Sequence, residues 1–251
     1  MIENIAAYLD HVVSQGILSL SPPGWGGALL VGLLHTITIV SGAYIIAIVL
    51  GILGATGKIY GGPLIRDWLS VYTTLIRAVP ELVLILILFY AVPKIINDLL
   101  VASGLARIGF SPTVVGMLVL GVVIGAYMTE IFRGAIIAVS RGQTEAALAF
   151  GMSTYHRAVR ITLPQMLANA LPGMANLWLS ATKDTALLAV IGFNELTLVT
   201  KQAAGSTRAF FTFFIASGCL YLLVSVLSTQ LFAWAERRAR RGAPEIRRGK
   251  V

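Results

Sequence analysis

Four acidic side chains interrupt long apolar stretches of this 251-residue sequence, and an acid in apolar surroundings is the natural place to look for chemistry. They are Glu81, Glu130, Asp184 and, near the end of its stretch, Glu195. A charge near the centre of a membrane helix costs about 2.5–3.5 kcal/mol on insertion scales, so such residues are candidates for binding a solute. A carboxylate in this position favours a cationic ligand.

Glu81 has two possible roles. Arg77 precedes it by four positions, so the two side chains can pair on one helix face and satisfy each other. Pro80 lies between them and frees a backbone carbonyl, as in the broken-helix sites that bind solutes. Glu81 is therefore a candidate ligand for a cationic side chain, and the pair with Arg77 is the structural alternative.

The other acids differ in how they can be neutralised. Arg133 follows Glu130 by three positions, which allows a self-contained pair as the alternative to substrate contact. Lys183 and Asp184 are sequence neighbours and cannot face each other on a helix, so at least one needs a partner on another helix or on the substrate. Glu130, Asp184 and the adjacent Thr185 join the candidate substrate path.

Motifs for a reaction of the chain's own are missing from the sequence. It has no GxxxxGK[ST] phosphate loop and no GxSxG nucleophile motif, and only His35 lies near membrane depth, where an intramembrane protease needs a serine and a histidine. Cys219 is the single cysteine, and no Cys/His cluster indicates a metal site. We therefore expect no catalytic residues and no metal. A channel or ion-driven carrier could also use buried acids.

Apolar stretches must position these residues. Hydrophobic residues make up 57% of the chain and charged residues only 12%, against about 25% charged in soluble domains. Each stretch approaches or exceeds the ~20 residues with which a helix crosses a bilayer core. The predicted fold is an all-α polytopic membrane bundle with five transmembrane helices, at roughly 28–56, 71–93, 112–137, 171–191 and 211–235. Gly121 and Gly125 predict close helix packing within the chain, with a dimer contact as the alternative.

Charges outside the spans orient the chain. Seven of the 19 lysines and arginines follow Phe232, and the positive-inside rule places such a tail, 237–251, in the cytoplasm. The tail has no aromatic partners for nucleic acid. Five spans then put the N-terminal segment 1–27 outside, where 2–18 could form a short amphipathic helix. We expect residues 1–251 to be one domain with its core at about 28–236.

About 30 residues between the third and fourth predicted spans do not resemble a lipid-facing helix. Thr144 can cap a short helix that contains three strong helix-forming alanines, and Gly151 can end it with a turn. Ser153 and Thr154 can cap a second short helix that Pro164 would stop. The sequence thus predicts a compact cytoplasmic helix–turn–helix protrusion, which a channel or carrier does not explain.

This protrusion resembles the coupling loop of ABC importer permeases, with an E-A-A, three residues, G, nine residues, I-x-L-P pattern. The residues that match are Glu145, Ala146, Ala147, Gly151, Ile161, Leu163 and Pro164. The resemblance implies the ABC type I importer permease fold, with a coupling helix that docks on a separate ATPase. ATP and magnesium would bind there, and this chain would need no cofactor. It also implies two ATP-binding subunits, a second permease subunit (homologous or identical), a periplasmic binding protein and a bacterial inner membrane location.

Flanking segments are similar to the polar amino acid uptake group of these permeases, over roughly residues 28–236. They include Thr74 to Val83, Gly125 to Ile136 and Lys183 to Leu188. The subgroup that they resemble most carries histidine, lysine, arginine and ornithine, or the opines octopine and nopaline. A cationic amino acid is therefore the expected substrate, and a neutral or acidic polar amino acid is the alternative. Ala78 departs from the family pattern, which has glycine at this position.

Overall fold

The computed structural model describes residues 16–240, and the regular secondary structure within them is helical. The helices are α1 Gly26–Tyr60, α2 Pro63–Ala78, α3 Glu81–Ala102, α4 Pro112–Ile137, α5 Arg141–Ala149, α6 Thr154–Arg157, α7 Leu163–Asp184, α8 Leu196–Thr207 and α9 Phe210–Ala239, with a π-helical turn over Ala158–Thr162 and a 3-10 helix over Thr185–Ile191. The predicted outer helix at 2–18 and the basic tail after Arg240 lie almost wholly outside the described residues.

Three of the five predicted spans are confirmed as helices. The span 28–56 falls within α1, 112–137 coincides with α4, and 211–235 lies within α9. In the described part of the chain, the helices that are long and apolar enough to cross a membrane are α1, α3, α4 and α9. Their length and apolar composition were the signals that the sequence carried most clearly.

The second predicted span, 71–93, was wrong because it crosses a helix break. α2 ends at Ala78, Val79 is extended, and α3 begins after Pro80. Proline has no N–H for the helix ladder and disfavours helical geometry in the residue before it. The apolar helix is therefore Glu81–Ala102, and α2 is a separate amphipathic helix.

The fourth predicted span, 171–191, was also misplaced. α7 starts eight residues earlier, at Leu163, and ends at Asp184, where the tighter 3-10 helix takes over. It is less apolar than the four helices named above, and it packs against α4 and α9. A helix with protein neighbours on several sides does not need an apolar surface all round.

The core is built on the close approach of α1 and α4. A Cβ added to Gly51 of α1 would lie 2.5 Å from Met128 Cγ, and one added to Gly121 of α4 would lie 2.7 Å from Ile46 Cγ2. Only glycine lets the two backbones come so near. The predicted role of the Gly121 and Gly125 pair in packing within the chain is confirmed.

Candidate functional site

A small cavity of about 140 Å³ lies between the start of α3, the middle of α4 and the end of α7. Its lining residues are Glu81, Ile85, Leu120, Val123, Ile124, Tyr127, Leu177, Ser180 and Asp184. The apolar residues form most of the wall, and the polar groups converge from three helices. A few convergent polar groups in an apolar wall are typical of a binding site for a small molecule.

Two of the predicted acids meet in this cavity. Glu81 is the first residue of α3, directly after the break at Pro80, and Asp184 is the last residue of α7. Both side chains line this one cavity, and Tyr127 lines it with them. Both helix ends result from the local sequence, because Pro80 breaks one helix and the 3-10 helix begins after the other.

The predicted ion pair between Arg77 and Glu81 is not formed. The two residues lie on different helices, on either side of the break, so the four-residue spacing no longer places them on one face. The Arg77 guanidinium instead lies over the Tyr127 ring, 5.9 Å from its centroid, within the range of a cation–π contact. Within residues 16–240, no lysine or arginine is among the residues that line the cavity.

Thr185 and Lys183 flank Asp184 but do not line the cavity. Thr185 is buried, and its hydroxyl donates to the Thr182 carbonyl at 2.7 Å, which stabilises the start of the 3-10 helix. Lys183 is exposed. Asp184 therefore supplies the charge at the end of α7, and Thr185 stabilises the start of the 3-10 helix that follows.

Glu130 occupies a different environment and is not among the residues that line the cavity. Its Oε1 accepts from Lys58 Nζ at 2.6 Å, and its Oε2 accepts from Arg133 Nε at 2.9 Å. The predicted pair with Arg133 is confirmed. Lys58 was missed, because a partner 72 positions away leaves no trace in local spacing.

Glu195 is fully buried and forms the N-cap of α8. Its carboxylate accepts from the backbone N–H groups of Thr197 and Leu198, both at 2.9 Å, and from the hydroxyl of Tyr221 at 3.2 Å. Capping by an acid satisfies N–H groups that a helix start leaves free. The Glu195 carboxylate thus connects α8 to α9.

The predicted helix–turn–helix protrusion is present, with a different start. α5 begins after Ser140, so Thr144 lies inside the helix and does not cap it. Gly151 has φ +72°, and the N–H groups of Gly151 and Met152 donate to the carbonyls of Leu148 and Ala147. This hydrogen-bond pattern ends helices at a left-handed residue, and the predicted glycine turn is confirmed.

The exposed face of the protrusion, defined here as the coupling face, is more apolar than the sequence motif indicated. Phe150 is 88% exposed and Tyr155 is 71% exposed, and Leu148 lies beside them. Among the motif residues, Glu145 and Ala146 are exposed, whereas Ala147 is buried. Exposed aromatic residues on a polar protrusion indicate a surface that is covered by a partner.

The second arm of the protrusion continues directly into α7. Ser153 caps α6 as predicted, since its hydroxyl accepts from the His156 N–H. Pro164 does not stop the helix, because it lies in the first turn of α7, immediately after the π-helical turn. Proline is tolerated in a first turn, where its missing N–H would have had no partner. Leu163 is exposed beside it, and Ile161 lies in the hollow between the two arms.

Comparison with known proteins adds independent findings. The model of the family described as binding-protein-dependent transport system inner membrane component matches residues 47–241. The histidine/lysine/arginine/ornithine transport system permease protein of Escherichia coli K12 is 39% identical over 86% of this chain and 94% of its own. The octopine transport system permease protein of Rhizobium radiobacter is 35% identical over 90% of this chain and 96% of its own.

Solved structures show the same fold. One of an amino acid ABC transporter with histidines superposes with a TM-score of 0.72 at 27% identity, over 85% of this chain and 95% of that one. One of the methionine ABC transporter MetNI superposes with a TM-score of 0.69 at 16% identity, over 87% of this chain and 99% of that one. The second likeness concerns the fold alone.

Proposed function

The chain belongs to the family of binding-protein-dependent transport system inner membrane components, and on that premise we propose that it carries cationic amino acids. It is a multi-pass permease subunit of an amino acid ABC importer and not an enzyme. The observation that carries the choice of substrate is the cavity in which Glu81 and Asp184 meet with no basic residue in its described lining. The similar permeases named for histidine, lysine, arginine, ornithine and octopine support the same substrate class.

Two carboxylates in one small cavity repel each other, and a bound cation would remove this repulsion. Like charges held close together in a poorly solvated site repel each other, and burial adds a further penalty for each. A substrate ammonium or guanidinium group between Glu81 and Asp184 would relieve both effects. A neutral amino acid would leave the repulsion in place.

The cavity is too small to enclose an amino acid by itself. Ligand sites in proteins usually measure about 300–1,000 Å³, whereas this one measures about 140 Å³. We propose that a second permease subunit, a homologue or another copy, supplies the opposite wall. Two ATP-binding subunits and a periplasmic binding protein complete the proposed transporter.

The coupling face is the proposed contact with the ATP-binding subunit. Phe150 offers the largest exposed apolar surface there, and Glu145 and Ala146 lie on the same short helix. Gly151 shapes the turn, Ala147 and Ile161 line the hollow between the two arms, and Leu163 and Pro164 begin α7. We count α7 as a fifth crossing beside α1, α3, α4 and α9, which would place the coupling face and the basic C-terminal tail in the cytoplasm and the N-terminus outside. ATP and magnesium bind on the partner.

Uptake by the reconstituted transporter tests the substrate class. The complex of permeases, ATP-binding subunits and binding protein in liposomes should accumulate labelled arginine when ATP is enclosed. Unlabelled lysine or ornithine should compete, whereas glutamine and glutamate should not. As the control, each amino acid is tested with the binding protein loaded to the same extent, so that differences in uptake arise in the permease. Equal uptake of arginine and glutamine would contradict the proposed charge selectivity.

Crosslinking tests the coupling face. After Cys219→Ser, the variant Phe150→Cys should crosslink to the ATP-binding subunit in intact membranes. Leu222→Cys is the control at a distant site, because Leu222 is also an exposed apolar residue, on α9, at 63% exposure against 88% for Phe150. Capture of the ATP-binding subunit by both variants, or by neither, would contradict the docking proposal.

Backbone geometry at Gly151 offers a second test. A side chain there meets no atom within 4 Å, so only the left-handed backbone opposes a substitution. Gly151→Val should weaken ATPase binding, because a branched residue in that conformation costs about 1–2 kcal/mol. Gly151→Asn should be tolerated, since asparagine adopts the conformation more readily. Equal ATPase binding by the two variants would show that docking does not depend on the left-handed turn at Gly151.

A further inference from the structure

We propose that Lys58 is a positioning residue that transmits motion of the helix–turn–helix protrusion to Glu81. The proposal rests on the proposed function, since it assumes that α5 is moved by an ATP-binding subunit. It concerns a cluster that lies outside both the cavity and the coupling face, namely Lys58, Thr73, Glu130 and Arg133, which we call the three-helix ion cluster.

Lys58 joins three helices at a single ammonium group. It lies in the last turn of α1, and its Nζ donates to Glu130 Oε1 on α4 at 2.6 Å and to Thr73 Oγ1 on α2 at 2.8 Å. The side chain is only 11% exposed, so water competes weakly for these bonds. A charge-assisted bond in such surroundings holds its partners more firmly than a neutral one does.

One connection runs along α4. Tyr127 of the cavity and Glu130 of the cluster lie one turn apart on this helix, and Arg133 lies one turn further on. α4 ends at Ile137, and α5 of the protrusion starts at Arg141. A single continuous helix, α4, therefore contributes to the cavity wall and to the three-helix ion cluster and leads directly into the protrusion.

The second connection runs through α2. Thr73 is held by Lys58, α2 ends at Ala78, and Glu81 follows directly after the break. α2 also contacts α4 directly, because the Tyr72 hydroxyl donates to the Val122 carbonyl at 2.6 Å and Arg77 lies over the Tyr127 ring. The bond from Lys58 differs from these contacts in that it holds α1, α2 and α4 at one charged group, so that α2, and Glu81 after it, can follow a shift of α4.

Lys58 can be replaced without leaving Glu130 unpaired, because Arg133 also pairs with this carboxylate. It shares the Glu130 carboxylate but belongs to the same helix, so it neutralises the charge without joining α4 to another helix. Replacing Lys58 leaves Glu130 paired with Arg133, which avoids an isolated charge in the bundle. Removing Arg133 leaves the bond between α1 and α4 intact. The two variants therefore distinguish the role of Lys58 in linking the helices from its role in neutralising Glu130.

The experiment compares Lys58→Met with Arg133→Gln in the full transporter in liposomes. The readout is the number of ATP molecules hydrolysed per arginine accumulated. Lys58→Met should assemble, keep its basal ATPase rate and raise this ratio between about two- and thirtyfold, the range by which residues in a coupling network change linkage. Arg133→Gln should keep the wild-type ratio. Thr73→Val, which loses only the α2 contact, should raise the ratio by less than Lys58→Met does.

Each other outcome is decisive. An unchanged ratio in Lys58→Met, or an equal rise in Arg133→Gln, overturns the proposal. If Lys58→Met fails to assemble, Thr73→Val decides, since its wild-type ratio would leave Lys58 a purely structural role. Failure of the proposed function is distinguishable, because the wild-type transporter would then accumulate no arginine or hydrolyse ATP without regard to it.

Discussion

The carboxylate of Glu130 and those of Glu81 and Asp184 lie in the same helix bundle but in opposite electrostatic surroundings. Glu130 has two basic partners within 3 Å, whereas Glu81 and Asp184 share a cavity whose described lining holds no lysine or arginine. An acid that is already neutralised can connect helices, and an acid that is not can attract a ligand. We therefore propose a structural role for Glu130 and a role in substrate recognition for Glu81 and Asp184.

Asp184→Asn should produce the largest effect, because it removes one of the two charges from a cavity whose described lining holds no lysine or arginine. We expect arginine uptake to fall by about thirtyfold or more, since loss of one member of a buried charge pair costs about 2 kcal/mol or more. Assembly with the ATP-binding subunit, measured by co-purification, should persist. Unchanged uptake would remove Asp184 from the proposed binding site.

Glu195→Gln should affect stability, because this acid is fully partnered. The amide nitrogen of glutamine cannot accept a hydrogen bond, so one donor at the start of α8 would lose its acceptor at a cost of about 1–3 kcal/mol. Thermal unfolding of the purified complex in detergent reports this loss. The preference for arginine over glutamine should not change, and a changed preference would place Glu195 in the recognition region.

Glu81→Gln should have a smaller effect on uptake than Asp184→Asn. Glutamine retains a hydrogen-bonding oxygen at this position, so part of the contact with a cation would survive. We expect arginine uptake to fall about fivefold, equivalent to about 1 kcal/mol for one ordinary hydrogen bond, and glutamine uptake to change less. Equal losses for the two substrates would exclude Glu81 as the residue that recognises charge.

Asp98→Asn should have the smallest effect and serves as the matched control. Asp98 is exposed and pairs with Lys94 at 2.8 Å on the same helix. Exposed ion pairs of this kind contribute little, because water and salt screen them. Uptake and thermal stability should both equal those of the wild type. A marked loss of uptake would show that acids outside the cavity also contribute.

The sequence predicted features that depend on neighbouring residues. The apolar lengths of α1, α4 and α9 and the turn at Gly151 follow from local composition and backbone preference. The acids were identified because charges are rare in apolar segments, although their different roles were not. Lys58 reaches Glu130 only through tertiary packing, and Arg77 loses Glu81 because Pro80 ends one helix before the other begins. The exposure of Phe150 likewise depends on how α5 and α6 fold together.

The length of α1 has a consequence for the surrounding lipid. Its 35 residues span about 52 Å at about 1.5 Å each, more than the ~45 Å of a bilayer with its headgroups, whereas the 22 residues of α3 span only about 33 Å. A helix longer than the ~30 Å hydrocarbon core can tilt or kink, whereas α3 spans that core with little to spare, so a thicker bilayer would have to thin around it. We therefore expect α3 to set the upper limit of acyl-chain length, so that the permease tolerates thin membranes better than thick ones.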